Sequence, residues 1–332
     1  MTDALLQVED LRVSFAVGRG EIRAVDGVSF SVSPGATLAI IGESGSGKTV
    51  CCRAIMGLLP ARAAISGSAR LRGGELIGLP EAELRMHRGS DIAMVFQDPA
   101  RSLNPTMRAG AQIAEAIRTH RQVSKREAQA QAVELLRMVR MPLPERRFHE
   151  YPHQLSGGMR QRVMIAIALA CRPKLLIADE ATTALDVTTQ AQIMELLLDL
   201  QQQMDMALIM ISHDLGLAAS YADEVVVLYA GKIVEQAAAV QLFGTSGAVR
   251  MRYTRALLDA IPHLERPAHA LLPVVGGRPP DPTALPPGCA FAPRCSHAAD
   301  DCLAKAPALL EHAAGHRWAC WHPCENGTGS GN

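Results

Sequence analysis

The stretch with the most specific chemistry is an octapeptide behind an apolar run at residues 37–41. It reads Gly42-Glu43-Ser44-Gly45-Ser46-Gly47-Lys48-Thr49. In the pattern G-x-x-x-x-G-K-[ST], glycines let successive backbone N–H groups turn toward a phosphate, the lysine reaches the β- and γ-phosphates, and the hydroxyl can bind Mg²⁺. The octapeptide therefore predicts a phosphate-binding loop for ATP or a related nucleotide, with Lys48 and Thr49 in the last two roles.

This chemistry requires a strand before the loop and a helix after it. The apolar residues 37–41 predict a short buried strand, and residues 48–58 predict a mostly apolar helix whose N-terminal dipole faces the anion. Taken alone, the octapeptide could also be a Gly/Ser turn without a ligand.

Polar groups also end other apolar strands. Asp179 and Glu180 follow the apolar residues 175–178, and His213 ends a neighbouring run in the same way. Asp179 is placed to hold the Mg²⁺ shell, whereas Glu180 can orient or deprotonate an attacking water. A strand-end acidic pair can be a solvated turn and a lone histidine can be structural, but ligands of open parallel sheets bind at this edge.

A second candidate anion site lies in a segment of helical character, residues 98–171. Ser156-Gly157-Gly158 opens a helix that we expect to run to about Cys171, and a hydroxyl, two glycines and a helix N-terminus can bind an anion. In the same segment, Ser124 and Glu127 have capping-box spacing and predict a helix from about Lys125 to before Pro142.

Around this helical insert the pattern is that of an α/β protein. Residues 5–32 alternate as an antiparallel hairpin would, residues 65–95 contain further short strands, and the continuous apolar runs at 174–178, 207–211 and 224–229 are typical of a parallel sheet covered on both faces. A helix at about 188–203 separates two of these runs.

Composition excludes several classes of function. Lys+Arg and Asp+Glu number 33 each, so no bulk positive field attracts nucleic acid or an anionic membrane. The longest apolar runs, such as residues 163–171, are far shorter than the ~20 residues that span a bilayer, and the N-terminus lacks a basic signal-peptide start. We expect a cytosolic chain that does not insert into lipid and binds no nucleic acid.

The phosphate loop, Ser156-Gly157-Gly158 and the strand-end groups together resemble the ATP-binding-cassette family over residues 5 to about 258. The resemblance implies a RecA-like core, an antiparallel β subdomain and a helical subdomain. It also implies that two cassettes meet head to tail, so that each Ser156-Gly157-Gly158 closes on the γ-phosphate held by the other.

The same resemblance assigns further roles. Gln97 would lie in the Q-loop, which senses Mg²⁺ and contacts membrane subunits, and Ala184-Leu185-Asp186 would form the D-loop. His213 would be the switch histidine, and Phe15 would stack on adenine, although Phe30 on the next strand competes for that role. The family usually has proline after the catalytic glutamate; here that position is Ala181, and we expect hydrolysis to be retained.

Two longer strings, residues 96–105 and 151–162, are similar to the oligopeptide/dipeptide importer ATPases. This similarity implies a second ATPase subunit (identical or paralogous), two transmembrane permease subunits and a periplasmic or extracellular solute-binding protein, at the cytoplasmic face of the bacterial plasma membrane. Di- or oligopeptides are the expected substrates; related importers carry nickel or glutathione. The alternative is a non-transport cassette ATPase in DNA repair or on ribosomes, which normally has two cassettes or nucleic-acid modules.

The amino-acid composition changes in the C-terminal part of the chain, which is rich first in proline and then in cysteine. We expect the cassette to end near 261, a proline-rich linker at 262–288, a cysteine-rich domain at 289–325 and a disordered tail at 326–332. The cysteine-rich part resembles the C-terminal extension of the importer subfamily, and its thiolates could hold a [4Fe–4S] cluster or Zn²⁺. The expected ligands are Cys289, Cys295, Cys302 and Cys320, in competition with Cys324, His297, His316 and His322 or with no metal at all.

Overall fold

The structure is a computed structural model that describes residues 4–18, 20–182, 186–244, 248–261 and 275–325. The strands are β1 Leu6–Val17, β2 Gly20–Val32, β3 Thr37–Ile41, β4 Ala63–Leu71, β5 Gly74–Glu75, β6 Ile92–Val95, β7 Leu175–Asp179, β8 Ala207–Ser212, β9 Glu224–Tyr229, β10 Lys232–Ala238, β11 Leu310–Ala313 and β12 His316–Trp318. The α-helices are α1 Lys48–Ile55, α2 Glu81–His87, α3 Pro99–Ser102, α4 Ala109–His120, α5 Lys125–Met138, α6 Pro144–Phe148, α7 Gly157–Ala168, α8 Val187–Met204, α9 Leu215–Tyr221, α10 Ala239–Phe243, α11 Arg252–Asp259 and α12 Asp300–Ala304. Single 3₁₀ turns lie at Pro152–Gln154 and Ala292–Arg294.

The chain forms two compact units, which we name after the motif that each contains. The signature unit, named after the signature motif Ser156-Gly157-Gly158, comprises residues 1–5, 32–36 and 78–211. The phosphate-loop unit comprises residues 6–31, 37–77 and 212–332. Along the part of the chain that the structure describes, no helix has both the length and the apolar character needed to cross a bilayer.

The signature unit has a parallel sheet and a helical layer. β6 pairs with β7 and β7 pairs with β8, both in parallel, and every residue of these strands is buried. Continuous burial explains why the strands appear in the sequence as unbroken apolar runs. Among the helices, α4 packs against α5, and both contact α7.

The helix predicted to begin at Lys125 is confirmed, together with its cap. The Ser124 side chain accepts a hydrogen bond from the Glu127 N–H, and the Glu127 carboxylate accepts one from the Ser124 N–H. The buried face of α5 consists of apolar residues at helical spacing. The helix ends at Met138, before Pro142. The cap and the apolar stripe therefore specify this helix locally.

The phosphate-loop unit contains two groups of strands. One is a four-stranded sheet in the order β2-β1-β4-β5, in which β1 and β4 are antiparallel. In the other, β3 and β9 are parallel, β10 is antiparallel to β9, and β12 is antiparallel to both β10 and β11. These observations confirm the predicted α/β class with its antiparallel part and helical part.

Some elements differ from the prediction. Residues 65–95 were expected to contain further short strands, and they also contain a helix that was not predicted. This helix, α2, lies between β5 and β6, with acidic side chains in its first turn and basic ones in its last. Strands β10, β11 and β12 were not predicted. The division at 261, 288 and 325 stays a prediction, and residues 262–274 and 326–332 of the expected linker and tail lie outside the described residues.

Candidate active site

The phosphate loop lies between β3 and α1, as its motif requires. Neighbouring backbone packs closely against two of its glycines. At Gly42, where φ is 152°, a Cβ would lie 2.2 Å from the Leu228 carbonyl oxygen. At Gly47, where φ is 103°, a Cβ would lie 2.3 Å from the Ala24 carbonyl oxygen. Only glycine fits such close approaches of backbone to backbone. Both glycines are therefore required by the fold of the loop itself.

The loop also organises its own polar groups. The Lys48 ammonium, in a residue only 4% exposed, donates to the carbonyl oxygens of Gly42 at 2.7 Å and of Glu43 at 3.0 Å. The Ser46 N–H donates to the Glu43 carbonyl at 3.2 Å. Thr49 follows in the first turn of α1, partly exposed. The Lys48 side chain is thus directed back across the loop, toward its first two residues.

Two features of the loop suit a bound anion. The Ser46 hydroxyl is buried, and it has no hydrogen-bond partner among the described residues. The first turn of α1 has no side-chain cap, because its N-cap residue is Gly47. A helix N-terminus with uncapped N–H groups attracts negative charge. A triphosphate therefore fits this loop; Ser44 and Gly45 at its tip are exposed.

In the signature unit, the structure brings together two of the predicted catalytic residues. The Gln97 side-chain amide, two residues after β6, donates to the Glu180 carboxylate at 2.6 Å. Asp179, the last residue of β7, is 1% exposed and pairs with Ile211 of β8. The parallel strands therefore deliver these three polar side chains to one edge of the sheet.

Glu180 also has an unusual backbone conformation. Its φ is +47°, in the left-handed region, and its N–H donates to the Ile211 carbonyl at 3.1 Å. Ala181, which follows it, is 7% exposed, and residues 183–185 lie outside the described part. A non-glycine residue at positive φ is uncommon and is often found at functional sites.

The helical insert presents its glycines at the start of α7. Ser156 caps this helix by accepting a hydrogen bond from the Met159 N–H at 3.3 Å, while Ser156 and Gly157 are exposed and Gly158 is partly exposed. The neighbouring Leu155 is 3% exposed and anchors the turn. The segment thus forms an exposed helix N-terminus, which is the arrangement that the prediction of a second anion site requires.

Three further predicted residues lie at element ends or on a strand. Asp186 caps α8 by accepting from the Thr189 N–H and hydroxyl, and the backbone hydrogen bond of Thr189 lowers the pKa of Asp186. His213 is exposed directly after β8. Phe15 is partly exposed on β1, whereas its competitor Phe30 is 5% exposed and belongs to the core. Ala184 and Leu185 of the expected D-loop lie outside the described residues.

One small cavity in the phosphate-loop unit gathers the predicted cysteine ligands. The pKa of the Cys320 thiol is raised to about 11, chiefly by burial, with a smaller contribution from the neighbouring Cys289 and Cys295. Cys324 and His316, expected as competitors, are not among the lining residues; His316 Nε2 lies 2.9 Å from the Glu235 carboxylate instead. The cysteine and histidine residues that line the cavity are Cys289, Cys295, Cys302, Cys320, His297 and His322.

Sequence reasoning missed two side chains that hold the phosphate loop. The Tyr253 hydroxyl accepts a hydrogen bond from the Glu43 N–H at 2.9 Å, and the Arg294 guanidinium pairs with the Glu43 carboxylate. Both residues are more than 200 positions away along the chain, so no local pattern could connect them with the loop.

Two family models match the chain. The model described as "ABC transporter" matches residues 25–183, and the model described as "Oligopeptide/dipeptide transporter, C-terminal region" matches residues 234–302. The first match contains the phosphate loop, Asp179 and Glu180, and the second contains Cys289, Cys295 and Cys302.

Similar proteins cover nearly the whole chain. The oligopeptide transport ATP-binding protein OppD of Escherichia coli is 49% identical over 97% of this chain and 94% of its own length, and the OppD of Bacillus subtilis is 48% identical over 96% and 89%. Among solved structures, the dimeric ATP-binding cassette MJ0796 in a post-hydrolysis state with ADP and Pi is 28% identical, with a TM-score of 0.64 over 70% of this chain and 98% of that one.

Proposed function

Because the chain belongs to the ABC transporter family, we propose that it is the ATP-hydrolysing subunit that powers an importer of di- or oligopeptides. The observation that carries this proposal is the 49% identity to an oligopeptide transport ATP-binding protein over 97% of the chain. The second matching model supports the peptide class, because it describes the C-terminal region of oligopeptide/dipeptide transporters.

The phosphate loop would bind the triphosphate of ATP. Its backbone N–H groups and the Ser46 hydroxyl would donate to phosphate oxygens, and Lys48 would exchange its bonds to loop carbonyls for the β- and γ-phosphates. Mg²⁺, when bound with ATP, neutralises charge on the phosphates; Thr49, Gln97 and Asp179 are the residues we assign to it. Phe15 is assigned to the adenine ring, since its partly exposed ring can stack.

Glu180 would position and deprotonate the attacking water. The Gln97 amide that donates to the Glu180 carboxylate fixes the direction of this side chain. The positive φ of Glu180 means that the backbone leaves the extended conformation of β7 at this residue. His213 is assigned to contact the γ-phosphate, and most of the rate enhancement would come from placement and charge stabilisation.

A second cassette would complete each site. The exposed Ser156-Gly157-Gly158 turn offers N–H groups to the γ-phosphate bound by a partner, and Asp186 lies at the start of the helix that follows the D-loop. This arrangement is supported by the likeness to a cassette whose structure is described as dimeric. Further partners that we propose are two permease subunits and a solute-binding protein, with this chain at the cytoplasmic face of the membrane.

ATP turnover by the purified full-length chain tests this proposal. Glu180→Gln should lower the turnover at least a hundredfold, since general-base catalysis contributes about 10²–10⁴. Glu195→Gln, an equivalent change on the exposed face of α8, should keep the wild-type rate. Undiminished turnover in Glu180→Gln would contradict the assignment, and so would a wild-type chain that neither binds nor hydrolyses ATP.

We also propose that the cysteine cavity holds a [4Fe–4S] cluster. Four thiols line one small cavity, which supports this proposal. Burial is the main cause of the raised pKa values of Cys289, Cys302 and Cys320, and the positive charge of bound metal ions would stabilise their thiolate forms. Among the described residues, the one group with three ligand atoms within 4.8 Å of one another is Asp301, Cys302 and His322. No three of the four thiol sulfurs therefore lie within 4.8 Å of one another, whereas Zn–S bonds of about 2.3 Å in a tetrahedron would place the sulfurs roughly 3.8 Å apart.

Anaerobic purification tests the cluster. The wild-type chain and Cys324→Ser should carry iron and visible charge-transfer absorbance, because Cys324 does not line the cavity, whereas Cys295→Ser should lose most of both. A wild-type chain without iron or absorbance would rule the cluster out.

A further inference from the structure

Glu43 connects the phosphate loop with the rest of its unit. Its carbonyl oxygen accepts hydrogen bonds from the Lys48 ammonium at 3.0 Å and from the Ser46 N–H at 3.2 Å. Its N–H donates to the Tyr253 hydroxyl at 2.9 Å. A shift of Glu43 therefore displaces the lysine and the serine that we assign to the phosphates.

Arg294 holds the side chain of this residue from the opposite end of the sequence. Its Nη1 donates to Glu43 Oε2 at 2.6 Å and its Nη2 to Glu43 Oε1 at 2.9 Å, a bidentate pair. The Arg294 side chain is only 4% exposed, and that of Glu43 is 24% exposed. A bidentate pair in such a dry environment fixes orientation as well as distance.

Every donor of the Arg294 guanidinium is used. Besides the two bonds to Glu43, Nη1 donates to the Tyr229 hydroxyl at 3.2 Å, Nη2 to the Val275 carbonyl at 3.2 Å, and Nε to the Gly276 carbonyl at 2.7 Å. The pair with Glu43 raises the pKa of Arg294 above its ordinary value. Lysine has a single nitrogen and cannot reproduce this fork.

The backbone that carries Arg294 also carries the cysteines. Arg294 ends the 3₁₀ turn Ala292–Arg294 and directly precedes Cys295, and the Ala292 N–H donates to the Cys289 carbonyl at 3.0 Å. Phe291, 3% exposed, packs its ring 5.5 Å from that of Tyr229. The turn is therefore fixed on one side by the cysteine cavity and on the other by the aromatic rings beneath the phosphate loop.

We propose that Arg294 is a positioning residue for ATP binding, through which the C-terminal cysteine segment holds Glu43 and the phosphate loop in the conformation that accepts nucleotide. The inference rests on the proposed ATP binding and adds a determinant from outside the nucleotide motifs. It makes the cysteine segment part of the nucleotide site, not only an appendage behind it.

Nucleotide affinity of the full-length chain tests the proposal, with the fluorescent analogue MANT-ATP and Mg²⁺ as the probe. Arg294→Lys should raise the Kd about tenfold, and Glu43→Gln, which keeps the shape but removes the charge, should do the same. In the double variant the Kd should be little higher than in either single variant, because the two substitutions remove the same interaction, the pair of Arg294 with Glu43. KM for ATP should rise in parallel, with kcat within about threefold.

Arg250→Lys is the matched control. Arg250 also joins the C-terminal segment, because its guanidinium donates to the Cys324 carbonyl at 2.9 Å and lies over the Trp318 ring. Its backbone N–H donates to the Glu235 carboxylate, so these three partners all lie outside the phosphate loop. Its Kd should stay within twofold of wild type.

A lowered melting temperature of Arg294→Lys with an unchanged Kd would overturn the proposal, because it would indicate a purely structural role. Additive effects in the double variant would overturn it as well. If Arg294→Lys does not fold, Glu43→Gln decides, since it leaves the bonds of Arg294 to Val275 and Gly276 in place. A wild-type chain that fails to bind MANT-ATP would instead refute the proposed function.

Discussion

Replacing Gly47 by alanine tests whether the phosphate loop needs glycine at this position in order to fold, even when no nucleotide is bound. At a φ of 103° any L-residue other than glycine is strained. The new Cβ would also lie 2.3 Å from the Ala24 carbonyl oxygen, and real Cβ atoms essentially never come closer than 3.0 Å to another heavy atom. Because the obstacle is backbone, β2 or the loop must move. Gly45 is the internal control: its φ is 80°, but a Cβ there would meet no atom within 4 Å.

The two changes should differ in cost. Positive φ costs about 1–2 kcal/mol, and the lost flexibility of the unfolded chain returns about 0.4–1 kcal/mol, so Gly45→Ala should destabilise the nucleotide-free chain by about 1 kcal/mol. Gly47→Ala has the same terms plus about 1–3 kcal/mol for overpacking, which gives about 3 kcal/mol.

Urea unfolding without nucleotide, followed by far-UV circular dichroism, measures both free energies by linear extrapolation. Equal losses in the two variants, within about 0.5 kcal/mol, would refute the argument, because the close approach of Gly47 to Ala24 would then carry no energy.

Three other predictions concern stability. A Cβ at Gly110 would lie 2.0 Å from the Phe148 ring, so Gly110→Ala should lower the free energy of unfolding by about 1–3 kcal/mol despite the higher helix propensity of alanine, and adding Phe148→Leu should recover most of the loss; a more stable single variant would contradict the packing. His316→Leu should cost about 3 kcal/mol in urea unfolding, because it leaves the Glu235 carboxylate, 0% exposed, without the imidazole; a loss below about 1 kcal/mol would count against this pair. Burial raises the pKa of the Cys51 thiol from 9.0 to about 12, so above pH 9 the unfolded chain ionises first and stability should fall by about 1.4 kcal/mol per pH unit relative to Cys51→Ala; parallel pH profiles of the two proteins would disprove it.

Much of the fold is encoded in short-range patterns. The capping box at Ser124 and the apolar stripe behind it specify α5, and continuous apolar runs specify β7 and β8, because a strand buried on both faces has no polar alternation. Strand ends placed Asp179 and Glu180 at one edge of the sheet. The direct bond of Gln97 to Glu180 follows from that placement, since the strands that precede them are neighbours.

The remainder depends on long-range contacts. Strands β11 and β12 have four and three residues, too few for a periodic pattern, and β12 becomes a strand by pairing with β10 across about 80 positions. The pair of Arg294 with Glu43 spans 251 positions. In the sequence Arg294 is only a basic residue before a cysteine, and tertiary packing alone gives it a function.

We propose above that a second cassette completes each ATP site. Mixing two inactive variants tests it: Lys48→Ala damages the phosphate loop, and Ser156→Arg blocks the exposed start of α7. Under conditions in which the wild-type chain hydrolyses ATP, each variant alone should be inactive, and the mixture should recover turnover, because a mixed dimer has one site with an intact loop and an intact partner turn. Wild-type turnover by Ser156→Arg alone, or no recovery in the mixture, would contradict the claim.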